Sequence, residues 1–399
     1  MDILKFPENC LDVLAQFLIG LSIIKEWDID DAYELASASW PYRNLPYDDY
    51  IEVLDLLEDE RRVWIDWEDN RFGKRGFAQM IYYTNIGTIA PNNNYLVFTS
   101  DGTMVGQLSS SFVSSLRNGD VFLLGGSTYR VSSIRGTRVN VSPATGYRPT
   151  IPSWTGEANS RTHELSQEVL ELLEEVATYA RLEKDPMTIF TDILGLNRPV
   201  AHAVSGFFQE HVATTFQVPS NDLILVEQVE APLPTYIVTT CRGRAFNLAL
   251  GHLFAGIATN DNIIVHELSF DENGFMIKLS HEVEISLIPE IFKQGNSKDV
   301  LQKHMMESQL FAKRFREVSS RSMLNPRRIG AEEVSPKQFQ QRAEQIMQKH
   351  RQMDDSVLIR ETMNEILHAD LDMEQLEIFI NRMDSEDVRI VHRLSLIHI

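Results

Sequence analysis

The spacing of apolar residues changes period twice along this 399-residue chain, and that change bars a single uniform architecture. Before about residue 75 and again after Arg161, apolar side chains recur every three to four residues, as on one face of a helix. From Gly76 to Pro152 they alternate with polar ones, as along strands. The prediction is an α+β multidomain chain: a winged-helix module (1–75), a small β-barrel (76–160), a mixed α/β domain (161–295) and a C-terminal helical segment (296–393). With 43% apolar and 24% charged residues, the composition is that of an ordinary globular chain.

Residues 8–24 predict a helix with Leu11, Leu14, Leu18 and Leu21 on one stripe. Asp28 or Asp30 suits the cap of a second helix carrying Ala32, Leu35 and Ala36, and the Trp40-Pro41 step ends it. A third helix follows Pro46, with Ile51, Leu54 and Leu57 inward and Asp48 and Asp49 in its first turn, where the helix dipole favours carboxylates. Residues 62–67 alternate as a strand. In a helix-turn-helix protein the third helix reads DNA. Here it holds Asp48, Asp49, Glu52, Asp55, Glu58 and Asp59 and no Lys or Arg, so it is expected to pack against protein.

Strands are predicted at 80–84, 95–99, 103–108, 120–124, 127–133 and 137–142, with turns at Asp101-Gly102 and Arg135-Gly136. Pro149 and Pro152 close this set. Helices follow at 165–182 and 199–216, strands at 223–229 and 235–240, a helix at 245–258, and strands near 262–268 and 275–280. From Lys298 onward the pattern is helical, with breaks at Pro326 and Pro336. The last six residues, LSLIHI (394–399), depart from that pattern. They resemble the read-through of a transposon-type sequencing adaptor, a segment foreign to the fold.

The chain has 37 basic and 57 acidic side chains, net −20. The balance is uneven: residues 71–161 hold 9 Lys/Arg against 3 Asp/Glu, net +6, between flanks of net −13 each. Such an island is either a solvated face or an electrostatic footprint for a phosphate backbone. Catalytic signatures are missing: there is no Gly-rich phosphate loop followed by Lys-Ser/Thr, and no dinucleotide glycine pattern. His266-Glu267 and His281-Glu282 lack the second histidine of a zinc-binding helix. Gly125-Gly126-Ser127 reads as a turn between strands. Two lone cysteines, Cys10 and Cys241, make neither a zinc site nor a disulfide framework, so a reducing, cytoplasmic setting is expected. The apolar stretch Val13 to Ile24 is shorter than the ~18 residues needed to span a bilayer, and no membrane association is expected.

Trp154 lies in IPSWTGE (151–157), where prolines and a glycine restrict the chain, with Arg148 and Arg161 on either side. An indole in a basic setting can stack an unpaired base, worth ~1–3 kcal/mol, while arginines hold phosphates. The alternative is a tryptophan folded onto the barrel edge. The charge island adds Arg130, Arg135, Arg138, Lys74 and Arg75 as candidates. Arg242-Gly243-Arg244 precedes a helix start, an anion site by its free N–H groups. Lys313, Arg314, Arg316 and Arg321 share a helix and are either phosphate ligands or a solvated face.

The run TNIGTIAPNNNYLVFTSDGTMVGQLSSSFVSSLRNGDVFLLGGSTYRV (84–131) followed by IPSWTGE resembles the accessory barrel of large helicase-related (Lhr) ATP-dependent helicases of superfamily 2, in the DEAD/DEAH-box group. LDVLAQFLIGL (11–21) with WPYRNL (40–45) is similar to the family's winged helix. VPSNDLILVEQ (218–228), CRGRAFNLAL (241–250) and SQLFAKRFREVSSRSM (308–323) are similar to the domain closing its core. The resemblance implies a C-terminal accessory region without motor domains. Such a region has no catalytic residue or cofactor of its own, while ATP and Mg are expected of the motor. It also implies that Trp154 stacks on bases of the tracked strand, with single-stranded DNA or an RNA–DNA hybrid and the motor domains of the same polypeptide as partners. The competing expectation is a protein–protein adaptor working through the acidic winged-helix and helical surfaces.

Overall fold

The computed structural model describes residues 6–89, 95–109, 112–113, 116–135, 138–146, 160–182, 184–215, 217–229, 231–283, 297–385 and 387–394. Two units interleave along the sequence: Phe6–Ala158 with Gln309–Glu365, and Asn159–Ser308 with Ile366–Ile399. The segment expected to be one helical region at 296–393 is therefore divided between them.

In the first unit the predicted stripe forms. Leu11, Leu14, Leu18 and Leu21 of α1 (Leu11–Ile24) are all buried. After β1 (Trp27–Asp28), Asp28 caps α2 (Ile29–Ser37), accepting from the amides of Asp30 and Asp31 at 3.0 and 3.2 Å. Ala32 and Ala36 face inward, but Leu35 falls off their line and is 45% exposed. α3 (Tyr47–Asp59) buries Tyr50, Val53, Leu54 and Leu57, with Ile51 only half-buried. β2 (Val63–Asp66) pairs antiparallel with β3 (Arg71–Lys74), a strand its own pattern does not announce. A Cβ at Gly73 would sit 2.7 Å from the Trp64 ring, so a glycine there lets the strands pair.

The acidic third helix meets protein, as expected. Arg360, on helix Val357–Glu365, donates to Asp49 at 3.0 Å and to Glu52, and Lys349 pairs with Glu60 at 2.6 Å. Glu361 of the same helix accepts the Leu11 amide at 3.0 Å, which caps α1 from 350 residues away. Burial, and next the Asp12 carboxylate, push the Glu361 carboxyl up to about 8 from 4.5. The folded state therefore holds this proton more tightly than the unfolded chain. The associated stability is complete below pH 4.5 and is lost as pH rises through about 8. Thermal unfolding followed by tryptophan fluorescence is expected to move to lower temperature between pH 5 and pH 8.5 (roughly this window), and less so in Glu361→Gln. Parallel pH profiles for the two proteins would sink this assignment.

The first predicted barrel strand, 80–84, is instead helical: α4 (Ala78–Asn85). Five residues of mixed pattern cannot separate the two periods, and tertiary packing decides. Tyr82 lies against Gly20 of α1, where a Cβ would be 2.7 Å from its hydroxyl. The other five strands form as β4 (Tyr95–Thr99), β5 (Met104–Leu108), β6 (Val121–Leu124), β7 (Ser127–Arg135) and β8 (Arg138–Pro143). Their order is β5-β4-β8-β7-β6, with β4 and β8 parallel and the other pairs antiparallel. Gly125 and Gly126, at φ 57° and 78°, make the tight turn between β6 and β7. Gly102, at φ 85°, does so between β4 and β5, where the Asp101 carboxylate accepts the Thr103 amide at 3.2 Å. Of the predicted Arg135-Gly136 turn, Gly136 lies outside the described residues. The sheet curls over Tyr95, Val97, Leu108, Phe122, Val131, Val139 and Val141. Its edge strands approach, with a Gly106 Cβ position 3.0 Å from Leu124.

The second unit contains the predicted mixed α/β elements. β9 (Leu223–Val229), β10 (Thr235–Thr239), β11 (Val265–Phe270) and β12 (Gly274–Leu279) form an antiparallel sheet in the order β11-β12-β10-β9. Strand Arg389–Leu394, where continued helix was expected, joins it parallel to β9. Apart from Leu394, the proposed adaptor residues lie outside the described residues. Helix Arg244–Asn260 buries Phe246, Leu250, Leu253 and Phe254. Helices His163–Arg181 and Arg198–Thr215 flank a small core of Val176, Ile189, Phe190 and Ala201. Among the described residues no helix is long and apolar enough to cross a membrane.

Candidate nucleic-acid interface

Strand alternation sorts the basic island into an inner and an outer face. Along β8, Val139 and Val141 are buried while Arg138 is exposed; along β4, Tyr95 and Val97 are buried. The outward register thus aligns Leu96 and Phe98 of β4 with Arg138 and Asn140 of β8. Arg135 pairs with Arg138 across the β7–β8 turn, and Arg130 of β7 pairs with Ser142. The Arg138 guanidinium lies over the Phe98 ring, 3.8 Å from its centroid. Arg138 Nε donates to Asn140 Oδ1 at 3.0 Å, and Asn140 donates in turn to Ser133 Oγ at 3.1 Å. This chain of bonds holds the guanidinium flat on the sheet. Phe98 is a site residue that sequence reasoning does not single out; its one signal is an aromatic in the outward register of a strand whose neighbour carries Arg138.

The nearby carboxylates are committed locally: Asp101 to Thr99 and Thr103, whose hydrogen bonds hold it below the usual carboxylate range, and Asp120 to the Arg117 amide at 2.7 Å. Among the described residues Arg135 and Arg138 have no carboxylate partner. Trp154 and Arg148 lie outside the described residues.

The remaining predicted residues are held in internal contacts. Arg75 donates from Nε to the Val63 carbonyl at 2.9 Å and lies 3.7 Å from Glu58, and Lys74 donates to Gln79 at 3.2 Å. Arg161 donates to the carbonyls of Cys241 and Glu272 at 3.1 and 2.8 Å. Arg242 is buried between Phe246 and Phe379, its Nη2 bound to the Asn221 carbonyl at 2.6 Å. Burial pulls its pKa down to about 10, so it stays charged at neutral pH. Arg244 donates to the Phe270 carbonyl at 2.7 Å. The helix start behind Gly243 already has its anion. Glu272 Oε2 accepts the amides of Arg161 and Arg244 at 3.1 and 3.0 Å. The structure therefore sets Arg135 beside Arg138, with Arg130 further along the same strand opposite Ser142, and assigns Arg161, Arg242 and Arg244 to the second unit.

Neither cysteine is poised for chemistry, since burial pushes the thiols of Cys10 and Cys241 up to about 12 and 11. Among the described residues no group of three His, Cys, Asp or Glu side chains could hold a metal ion.

Residues 1–151 match a family profile described as "Large helicase-related protein, winged helix domain", and residues 218–396 match "DEAD/H associated". The chain is 31% identical to the ATP-dependent helicase Lhr-Core protein 2 of Thermococcus barophilus, over 98% of its own length and 47% of the relative's. The chain belongs to the large helicase-related (Lhr) family. A second Lhr relative, the ATP-dependent helicase Lhr-Core of Methanothermobacter thermautotrophicus, is 32% identical over 94% of this chain and 45% of that protein. This Lhr chain thus spans about half the length of the curated relatives it matches. Its fold matches a structure of Mycobacterium smegmatis helicase Lhr bound to ssDNA and AMP-PNP, with a TM-score of 0.74 at 20% identity. That match covers 99% of this chain and 47% of the other.

Proposed function

We propose that this chain is a single-stranded nucleic-acid-binding accessory region of an ATP-dependent DNA helicase. The observation that carries the proposal is the outward face of the barrel, where Arg138 lies flat on Phe98 beside Arg135 and, among the described residues, no carboxylate pairs with either cation. A guanidinium on an aromatic ring offers a flat cationic platform on which a base can stack while phosphates meet the flanking arginines. The family's curated members are named as ATP-dependent helicases, and the fold is shared with an Lhr helicase bound to single-stranded DNA, which supports the reading. Trp154 and Arg148 are further candidate ligands, with Trp154 stacking on a base of the tracked strand as the family resemblance implies. Single-stranded DNA or an RNA–DNA hybrid and the motor domains of the same polypeptide are the partners. ATP and Mg act in that motor, and the setting is cytoplasmic. The adaptor alternative is weaker, because Asp49, Glu52 and Glu60 are already paired within the chain.

Fluorescence anisotropy with an oligo(dT) probe tests this in the full chain. Arg138→Ala is expected to weaken binding about tenfold, and Trp154→Ala about ten- to hundredfold, the range of one lost base stack. Affinity should fall steeply with salt. Unchanged binding by both variants, with unchanged melting temperatures, would overturn the proposal.

A further inference from the structure

Helix Ser297–Met306 is the element of the second unit after which the chain passes into the first, at Gln309. Leu301 and Met305, one turn apart, are its buried row. One position earlier on each turn, Val300 and His304 face helix Arg244–Asn260 at Gly256. A Cβ on Gly256 would lie 3.0 Å from the side chains of both, so the glycine lets the two helices approach. One turn before Gly256, the His252 ring meets that of His304, with centroids 5.4 Å apart and planes tilted by 45°. His252 also stacks on Phe270 of β11, at 5.2 Å and 30°.

His252 is buried, and its Nδ1 has no hydrogen-bond partner among the described residues. In the charged form both ring nitrogens donate, and that Nδ1–H would find no acceptor. The charged groups on the surrounding elements are engaged elsewhere or face solvent. Lys298, Asp299 and Lys303 of the same helix, Asp261 beyond helix Arg244–Asn260, and His266 and Glu267 of β11 are exposed, and Glu267 pairs with Lys278 of β12 at 2.6 Å. Arg244 is bound to the Phe270 carbonyl, and Asp271 accepts the Asn273 and Gly274 amides at 2.8 Å. Among the described residues His304 is the one charge that acts on His252, and no carboxylate acts on either ring. Burial, and next the His304 charge, pull His252 down from 6.5 to about 4, and burial also lowers His304.

We propose that the His252–His304 pair makes helix Ser297–Met306 an acid-released latch, docked on helix Arg244–Asn260 while both rings are neutral and undocked once they take up protons. The Phe270 face can hold one cation, but two imidazolium rings at this spacing repel each other. Undocking carries His304 into water and opens His252 to it, which relieves both the repulsion and the missing acceptor. The docked state therefore binds these protons more weakly than the open one. The latch is fully closed above about pH 6.5 and loosens as pH falls towards 4. This is the reverse of the sign at Glu361, which belongs to the first unit.

Hydrogen exchange of the full chain, read by mass spectrometry and corrected for the intrinsic rate at each pH, tests this locally. Protection of residues 297–306 is expected to fall about tenfold between pH 7 and pH 5 (roughly the protonation window), while β9 and β10 keep theirs. The loss should shrink in His304→Asn, which removes the repulsion. It should vanish when His252→Phe is added, which keeps a ring against Phe270 and removes the buried titrating group. Equal protection at both pH values in the unmodified chain overturns the inference, and so does an undiminished loss in folded His304→Asn. A loss shared equally by β9 and β10 overturns it too, because that is unfolding of the whole unit.

Discussion

Replacing Arg321 by methionine is expected to destabilise the Phe6–Ala158 and Gln309–Glu365 unit by about 3–5 kcal/mol, the cost of breaking a buried ion pair from one side. Arg321 donates to Asp12, which is 2% exposed, and to Glu365, while Glu361 lies close to both carboxylates. Without the guanidinium, Asp12 and Glu365 face each other inside the protein, leaving Arg314 as the remaining cation on Glu365. The four described tryptophans, Trp27, Trp40, Trp64 and Trp67, belong to this unit, so their fluorescence reads its unfolding. A fall of roughly 10 °C in that transition is expected. Arg321→Lys should lose less, since it keeps the charge and gives up the two-pronged geometry. Adding Asp12→Leu to Arg321→Met should recover part of the loss, because an apolar replacement leaves no buried charge unpaired. A transition within 1–2 °C of the unmodified chain, about the shift of a surface substitution, would contradict the assignment.

The second large effect is expected at Gly274, in the other unit. A Cβ there would lie 2.0 Å from the Val238 carbonyl oxygen, a backbone atom of the neighbouring strand that cannot turn aside. Gly274→Ala must therefore part β10 from β12, where Thr239 pairs with Gly274. The cost should reach roughly 3 kcal/mol or more, at the upper end for overpacking. The same turn also closes helix Arg244–Asn260, through Glu272 and through the Asn273 carbonyl that accepts the Thr240 and Cys241 amides at 2.8 Å. Loss of β-structure by circular dichroism at a temperature where tryptophan fluorescence is unchanged would be the signature. A variant whose dichroism melts with the unmodified chain would show that the strands absorb the methyl group.

What was legible in the residues was everything set by near neighbours. The leucine stripe of α1, the Asp28 cap, the five barrel strands and the glycine turns depend on residues within a few positions of one another, so their period and turn chemistry are sufficient. β9 was placed at its observed bounds for the same reason. The acidic character of α3 also sufficed to turn it toward protein, because carboxylates repel a phosphate backbone wherever they are carried.

Tertiary structure decided which cations are spent. Arg161 and Glu272 are 111 positions apart and Arg360 and Asp49 are 311 apart, so no local pattern distinguishes them from Arg138, which meets a ring rather than a carboxylate. The same holds for α4, made helical by a notch at Gly20, and for Arg389–Leu394, made a strand by the open edge of β9. Short segments have weak intrinsic preferences, and a burial partner supplied from far along the chain outweighs them.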